Sequence, residues 1–411
     1  MKILHLFNIS KIEAVNLFFF KEGVGVAFAA FILTLFAPIY ILNTLISFIK
    51  FKAPFSSRAT HDLNRKPYYY HIFNHGVLRH LLILLLIVKR EMTWVGMPRD
   101  IPNDSSLDCF SDMKVGLVSL YGLHQLTGLS ISNVEEDTQL QREFSKSEKV
   151  YLIFRVLLAR FAFRNTNLAT EASIRIFGIK IDNIDLAKAV TKILTPPHRK
   201  FAQTACFVNV NTFNLANKSS ALTDVINAFD YVFADGSGVR IAAQKQGDRL
   251  LANVNGTDML PVLCDRAREN NQSLFLLGAE PEIASLTAAN LQRKYPGLRI
   301  SGTHHGYFDK QASQNVICKI NTSKTDVLLV AFGSPIQERW LQENKAKLNV
   351  KTAIAVGGLF DFYSGRITRA PIWMRELGME WVWRLMKEPR KKFHRYVIGN
   401  PIFILRCIFQ S

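Results

Sequence analysis

The chain predicts an α/β protein. A Rossmann-like parallel sheet with helices on both faces is preceded by a Pro-broken membrane helix region and followed by a basic amphipathic helical appendage. Three observations carry this. From about Ser173, short apolar runs alternate with helix-length segments, the rhythm of a sheet whose crossovers are helices. Each apolar run closes on Asn, Asp or Gly, the residues that turn a chain at a strand end. Far upstream, Val24 to Ile49 is apolar and uncharged, interrupted only by Thr34, Asn43, Thr44 and Ser47, and is long enough to cross a bilayer.

In that apolar run Pro38 removes a backbone hydrogen bond, so the segment is either a kinked span or a helix that enters and leaves by one face. Lys50, Lys52 and Arg58 make the following side positive, which places it in the cytoplasm, against the inner membrane. No small-residue cleavage site marks a signal peptide. Residues 51–77 read as loop, and Leu81 to Val88 as a short interfacial or buried helix. Glu135 to Lys149 is a charged linker or surface helix, and Val150 to Ala162 an amphipathic basic helix. The expected domains are a membrane-anchoring region over 1–165, an α/β domain over 166–365 and the appendage over 366–411.

Within the α/β part, Ile174 to Ile181 alternates at period two, as a strand does. Asp185 to Leu194 is a helix stopped by Pro196 and Pro197. Ala205 to Asn211 is a strand, Asn214 to Phe229 a helix, and Tyr231 to Ala234 a strand running into Asp235-Gly-Ser-Gly238 and a helix to Lys245. Asp258 to Asn270, Ile283 to Tyr295 and Asp309 to Thr322 are helices. They separate strands at Ser273–Gly278, Leu298–Gly302 and Asp326–Gly333, and Thr352 to Gly357 is the last strand.

The formal charge of +18 points to an acidic partner: a membrane surface, nucleic acid or phosphorylated substrates. Nucleic acid ranks last, because the positive charge collects beside membrane-type sequence. Five scattered cysteines (Cys109, Cys206, Cys264, Cys318 and Cys407) without a C-x-x-C exclude a disulfide framework or zinc site and read as core residues in a reducing compartment. His304, His305 and His394 lack partners at metal-ligand spacing, and Gly278-Ala279 is not followed by a G-x-G-x-x-G. No metal and no cofactor is expected.

Strand C-termini of a doubly wound sheet converge on one cleft. Asn209, Asp235, Gly278, Gly333 and Gly357 all close strands, so they gather there. Gly236 and Gly238 let the backbone approach a phosphate or sugar, and amides at a helix start favour anions. Asn255, Gly256, Thr257 and Asp258 open a further helix, with Thr257 and Asp258 expected at its N-cap and amides free for a phosphate.

These motifs resemble the WecG/TagA/CpsF glycosyltransferases (glycosyltransferase family 26) over about residues 173–405. The matching stretches include Phe207-Val-Asn209, Asp235-Gly-Ser-Gly-Val239, Asn255-Gly-Thr-Asp258, Phe332-Gly-Ser-Pro-Ile-Gln-Glu338, Gly357-Gly-Leu-Phe-Asp361 and Arg369-Ala-Pro371. The resemblance implies inverting, metal-independent transfer from a UDP-sugar, of N-acetylmannosamine type or a related hexose, to a polyprenyl-diphosphate-linked saccharide. Asp235 would be the general base and Asn209 would orient a sugar. Gln337 and Glu338 would bind the nucleotide or its ribose. Arg369, Arg384 and Arg390 of the basic, aromatic appendage would face the leaving diphosphate. The chain departs from the pattern at Phe207, where many members have Thr, and at Asn253, where many have Arg; both adjoin the expected sugar site.

Lys89 to Arg99 and Gly116 to Gly128 resemble segments of bacterial polyprenyl-phosphate sugar-1-phosphate transferases. The catalytic acidic pair of that family would fall near Arg79, where there is none, so the region reads as a degenerate docking relic. A two-step fusion enzyme and a non-catalytic membrane scaffold are the alternative expectations, and a homo-oligomer is possible in either case.

Overall fold

A computed structural model describes residues 22–37, 41, 44, 55–61, 67–73, 81–98, 110, 113–127, 134–162, 171–196 and 201–409. The chain divides into two compact units, Met1–Thr127 with Ser132–Arg164, and Gly128–Ile131 with Asn165–Ser411.

In the first unit the apolar run is helical over Glu22–Leu35, 14 residues. At 1.5 Å per residue that helix is about 21 Å long, short of a hydrocarbon core of about 30 Å. Among the described residues no helix is long and apolar enough to cross a membrane, and Pro38 lies outside them. The helix instead joins a small core with Ile83, Leu84, Leu86 and Ile87 around its Ala29. Residues 51–77, expected as loop, contain an antiparallel pair, Phe55–His61 against Pro67–Phe73. Its Tyr-rich strand has the aromatic content that suits a pleated surface. Thr93–Val95 and Gly116–Val118, from the two transferase-like segments, pair in parallel, and Val134–Arg142 and Lys146–Ala162 are helices. The position near Arg79 lies outside the described residues.

The second unit holds one six-stranded sheet. Its strands are β1 (Gln203–Val208), β2 (Tyr231–Ala234), β3 (Ser273–Gly278), β4 (Arg299–His304), β5 (Val327–Ala331) and β6 (Thr352–Ala355), in the order β4-β3-β5-β6-β1-β2. Every pairing is parallel. The residues of β1, β3, β5 and β6 are buried throughout, which is why these strands read as unbroken apolar runs rather than alternating ones. The run at Ile174–Ile181 is not one strand. It folds as a hairpin, Ser173–Ile176 with Ile179–Asp182, because Phe177 and Gly178 both adopt positive φ (46° and 82°), the two-residue turn that matches strand twist.

Helices α1 (Leu186–Leu194), α2 (Val210–Ala216), α3 (Ser220–Asn227), α4 (Ser237–Lys245), α5 (Gly256–Glu269), α6 (Ile283–Lys294), α7 (Gln314–Thr322) and α8 (Ile336–Asn344) cover the sheet. In α1, Asp185 accepts from the Lys188 amide at 2.7 Å, and Leu186, Ala189, Val190, Ile193 and Leu194 form the buried stripe. Each large aliphatic in such a stripe stabilises the fold by about 1.5–3 kcal/mol. The single helix expected over Asn214–Phe229 is two, α2 and α3, and α8 was not foreseen. The core on one face includes Phe213 of α2 and Trp340 of α8; that on the other includes Leu263 of α5 and Leu291 of α6. Neighbouring strands β3 and β5 thus send their following helices to opposite faces, and such a divergence opens a crevice at the C-terminal edge.

The chain ends in α9 (Leu359–Tyr363), α10 (Ile372–Glu376), α11 (Glu380–Lys387), α12 (Pro389–Phe393), a π-helical turn (His394–Ile398) and α13 (Gly399–Phe409). Phe403 of α13 packs on Phe213 and Phe177, with ring centroids 5.6 and 5.8 Å apart. Cys206, Cys264 and Cys407 are buried as expected, whereas Cys318 is exposed; Cys109 is outside the described residues.

Candidate active site

The C-terminal edge of the sheet opens into a cleft of about 600 Å³, adjoined by a second of about 340 Å³. Both are within the size range of small-molecule sites. Asn209, Asp235, Thr257, Arg384 and Arg395 line both, so the two are lobes of one site with Asp235 on the shared wall.

Asp235 follows β2, and its amide continues the sheet by donating to Val208 O at 2.9 Å. Its Oδ2 accepts from Asn209 Nδ2 at 3.2 Å, while Asn209 Oδ1 accepts from Arg395 Nη2 at 3.3 Å. Burial pushes the Asp235 carboxyl above the ordinary carboxylate range; Asn209, Arg395 and Arg384 pull it back, and Asp258 pushes it up again. A carboxylate raised towards neutrality while still held by donors is suited to accept a proton.

The starts of α2 and α5 beside the site are capped from within by asparagine side chains. Asn209 Oδ1 takes the amides of Asn211 and Thr212 at 3.1 and 3.3 Å. Asn253 Oδ1 takes the Gly236 amide at 2.6 Å, and Asn255 Oδ1 the Asp258 amide at 2.8 Å. The N-cap of α5 is therefore Asn255, not Thr257 or Asp258. Four amides, those of Asn211, Thr212, Gly236 and Asp258, are thus taken by asparagine side chains. Gly236 is required for its positive φ of 99°. Gly238 is required for close packing: a Cβ there would lie 2.3 Å from Val210 Cγ2. Gly256 and Thr257 line the larger lobe, and the Thr257 carbonyl accepts from Tyr363 Oη at 2.7 Å.

Positive charge comes from side chains. Lys310, Arg366, Arg384, Lys391, Lys392 and Arg395 line the larger lobe against Asp235, Glu280, Asp361 and Glu388. The excess of two cations matches the charge of a sugar nucleotide's diphosphate. Arg384 stands over the Phe362 ring at 4.6 Å, and the Nε atoms of Arg384 and Arg395 find no hydrogen-bond partner among the described residues. Of the three expected arginines only Arg384 lines the site. Arg369 is bound to the buried Asp258, which also lies 3.8 Å from Arg375, and its Nε faces Glu380 at 3.7 Å. Arg390 is exposed and lines neither lobe. Asp258 is thus an anchor for the appendage. Arg395, not among the three arginines expected at the diphosphate, lines both lobes.

Gln337 lines the larger lobe, but its Oε1 is taken by the amides of Gly333 and Gly357 at 3.2 and 2.9 Å. It staples the loop after β5 to the loop after β6. Glu338 is buried outside both lobes and accepts from Ser334 Oγ at 2.7 Å and Gln337 Nε2 at 2.9 Å. Burial raises its carboxyl. The pair shapes the cleft floor, and Glu338 is not positioned to meet a ribose. Phe207 lies in the floor too, tilted on Phe233 with centroids 5.6 Å apart. Among the described residues no cluster of three or more His, Cys, Asp or Glu could hold a metal ion.

The description of the Glycosyl transferase WecG/TagA/CpsF family matches residues 174–411, the stretch that builds the sheet, both lobes and the appendage. The chain belongs to this family. It is a glycosyltransferase. Among similar proteins is the N-acetylglucosaminyldiphosphoundecaprenol N-acetyl-beta-D-mannosaminyltransferase of Staphylococcus aureus strain MRSA252. It is 30% identical over 220 residues, 53% of this chain and 86% of that protein. The protein of the same description from strain MW2 is 29% identical over 222 residues, 54% and 87% of the two chains. For this glycosyltransferase, the two-lobed cleft is where the family's motifs meet.

Proposed function

We propose that this glycosyltransferase moves a sugar, of N-acetylmannosamine type or a related hexose, from a UDP-sugar to a polyprenyl-diphosphate-linked saccharide. Anomeric configuration inverts, and the product feeds bacterial surface or exopolysaccharide synthesis. The carrying observation is the position of Asp235 on the wall common to both lobes, held by Asn209 and facing Arg384 and Arg395. Inversion needs one base on the side of the acceptor, opposite the leaving group. Asp235 takes the acceptor hydroxyl proton as the acceptor oxygen attacks the anomeric carbon and UDP departs. Arg384 and Arg395 stabilise the charge that grows on the diphosphate. The names of the relatives support this transferred sugar and acceptor class.

The same reading sets the reaction at the cytoplasmic face of the inner membrane. On α13, Ile402, Leu405, Ile408 and Phe409 are exposed while Phe403 and Cys407 are buried. An apolar face beside basic residues suits a lipid surface.

Purified protein incubated with UDP-sugars and a synthetic polyprenyl-diphosphate sugar tests the proposal. The expected result is transfer by the wild type. Asp235→Asn is expected to reduce transfer by about a hundredfold or more while still binding UDP. Full activity of that variant would remove Asp235 as the base. UDP binding without UDP release from any donor would indicate a scaffold instead.

A further inference from the structure

We propose that Glu380 recognises the acceptor: from the wall of the smaller lobe its carboxylate accepts a hydrogen bond from a hydroxyl or amide N–H of the acceptor's terminal sugar. This rests on the glycosyltransfer reading above.

Glu380 lines the smaller lobe and not the larger one, where it stands with Asp235 among Arg375, Arg384 and Arg395. It is poorly satisfied by the protein. Its Oε1 is enclosed yet has no hydrogen-bond partner among the described residues; the nearest cation, Arg369 Nε, stands at 3.7 Å. Asp258, a few residues away in space, is by contrast satisfied by Arg369, Asn255 and its own cap. That enclosed oxygen is turned towards Arg369, and the exposed remainder of the Glu380 side chain, 30% of its surface, is what the lobe can meet. Burial also pushes the Glu380 carboxyl up, against the pull of Arg369 and Arg375 and with a further push from Asp258 and Asp235.

The surroundings fit a sugar joined to a lipid. Trp381 and Tyr396 share the lobe with ring centroids 6.0 Å apart, and the exposed Trp381 offers an apolar ring on which a pyranose can lie. Ile404 continues the wall, and the next positions on α13, Ile402 and Leu405, are exposed. A volume of about 340 Å³ takes a monosaccharide more readily than a sugar nucleotide. A hydrogen-bonding carboxylate in such a wall discriminates against analogues that lack the donor, because it is left unpaired when they bind.

The test compares wild type, Glu380→Gln and Glu380→Asp as full-length protein. Acceptor KM, donor KM and UDP affinity by calorimetry are measured, together with transfer to a panel of monodeoxy and N-deacetylated acceptors. Both variants are expected to raise acceptor KM, Glu380→Gln by about tenfold, the size of one hydrogen bond to a charged group. Donor KM and UDP affinity stay within twofold, and on one member of the panel the variants match the wild type. Glu380→Asp keeps the charge beside Arg369, so it separates lost reach from lost folding. Unchanged acceptor KM, or an equal loss of UDP affinity, overturns the role of Glu380 while leaving glycosyl transfer intact. Absence of transfer by the wild type, with any donor and acceptor, overturns both.

Discussion

Asp235 and Asn209 are paired by their places at the ends of adjacent strands, and that pairing was readable because β1 and β2 each stop on a polar residue. The sequence does not single out Arg395 among the appendage's cations, yet its guanidinium reaches Asn209 from a segment 186 residues away in the chain. Its removal has a signed consequence. Arg395 pulls the Asp235 carboxyl down, so Arg395→Gln lets burial carry it higher. A base must be deprotonated to act, so the acid limb of the pH–rate profile moves to higher pH. Loss of a charge on the leaving diphosphate also lowers kcat, by about a hundredfold. A profile whose acid limb stays put would show that the two groups are not coupled. Asn253 is the other residue at which sequence and structure part company. It reads as a departure from the family pattern, yet it supplies the acceptor that holds the Gly236 amide.

At the scale of elements, the sheet was legible because buried parallel strands leave continuous apolar runs, while the helix registers were not. A two-residue shift in where α5 begins, from Asp258 to Gly256, turns Asp258 from a phosphate-facing cap into an ion-pair anchor. The appendage was harder still. In its π-helical turn the hydrogen bonds span one residue more than in an α-helix, which re-aims the side chains, and Arg395 and Tyr396 lie within it. No periodicity in Arg390-Lys-Lys-Phe-His-Arg395 announces this. The opposite edge of the sheet is fixed by Asp326, which precedes β5. It accepts from the Ser273 amide at 2.8 Å and Ser273 Oγ at 3.0 Å, and pairs with Lys351 at 2.8 Å. Burial would raise its carboxyl, but Lys351 and Ser273 outweigh that and hold it below the ordinary value. Its stabilisation is therefore present above the unfolded-state value and is lost as pH falls through the folded one. Asp326→Asn should cost about 1–3 kcal/mol at neutral pH and flatten the acid side of a stability–pH curve measured by urea unfolding. It should leave UDP affinity alone.

For the whole molecule, the formal charge of +18 and the exposed apolar residues of α13 both favour an anionic lipid surface. Binding to vesicles rich in anionic lipid should exceed binding to neutral ones, and replacing Ile402, Leu405 and Phe409 by Ser should weaken it by about tenfold or more. UDP affinity should be retained, as none of the three lines either lobe. Co-sedimentation reads this directly; equal binding by the triple variant would place the contact elsewhere. The three asparagines beside the cleft have a wider effect. Because they take the Asn211, Thr212, Gly236 and Asp258 amides, the proposed diphosphate site leans on the lysines and arginines of the larger lobe, and such charges feel the solution around them. Electrostatic reach falls from about 10 Å at 0.1 M salt to about 3 Å at 1 M. Donor KM in this enzyme should therefore climb with ionic strength, making the cell's own salt content a brake on how fast lipid-linked sugar is extended.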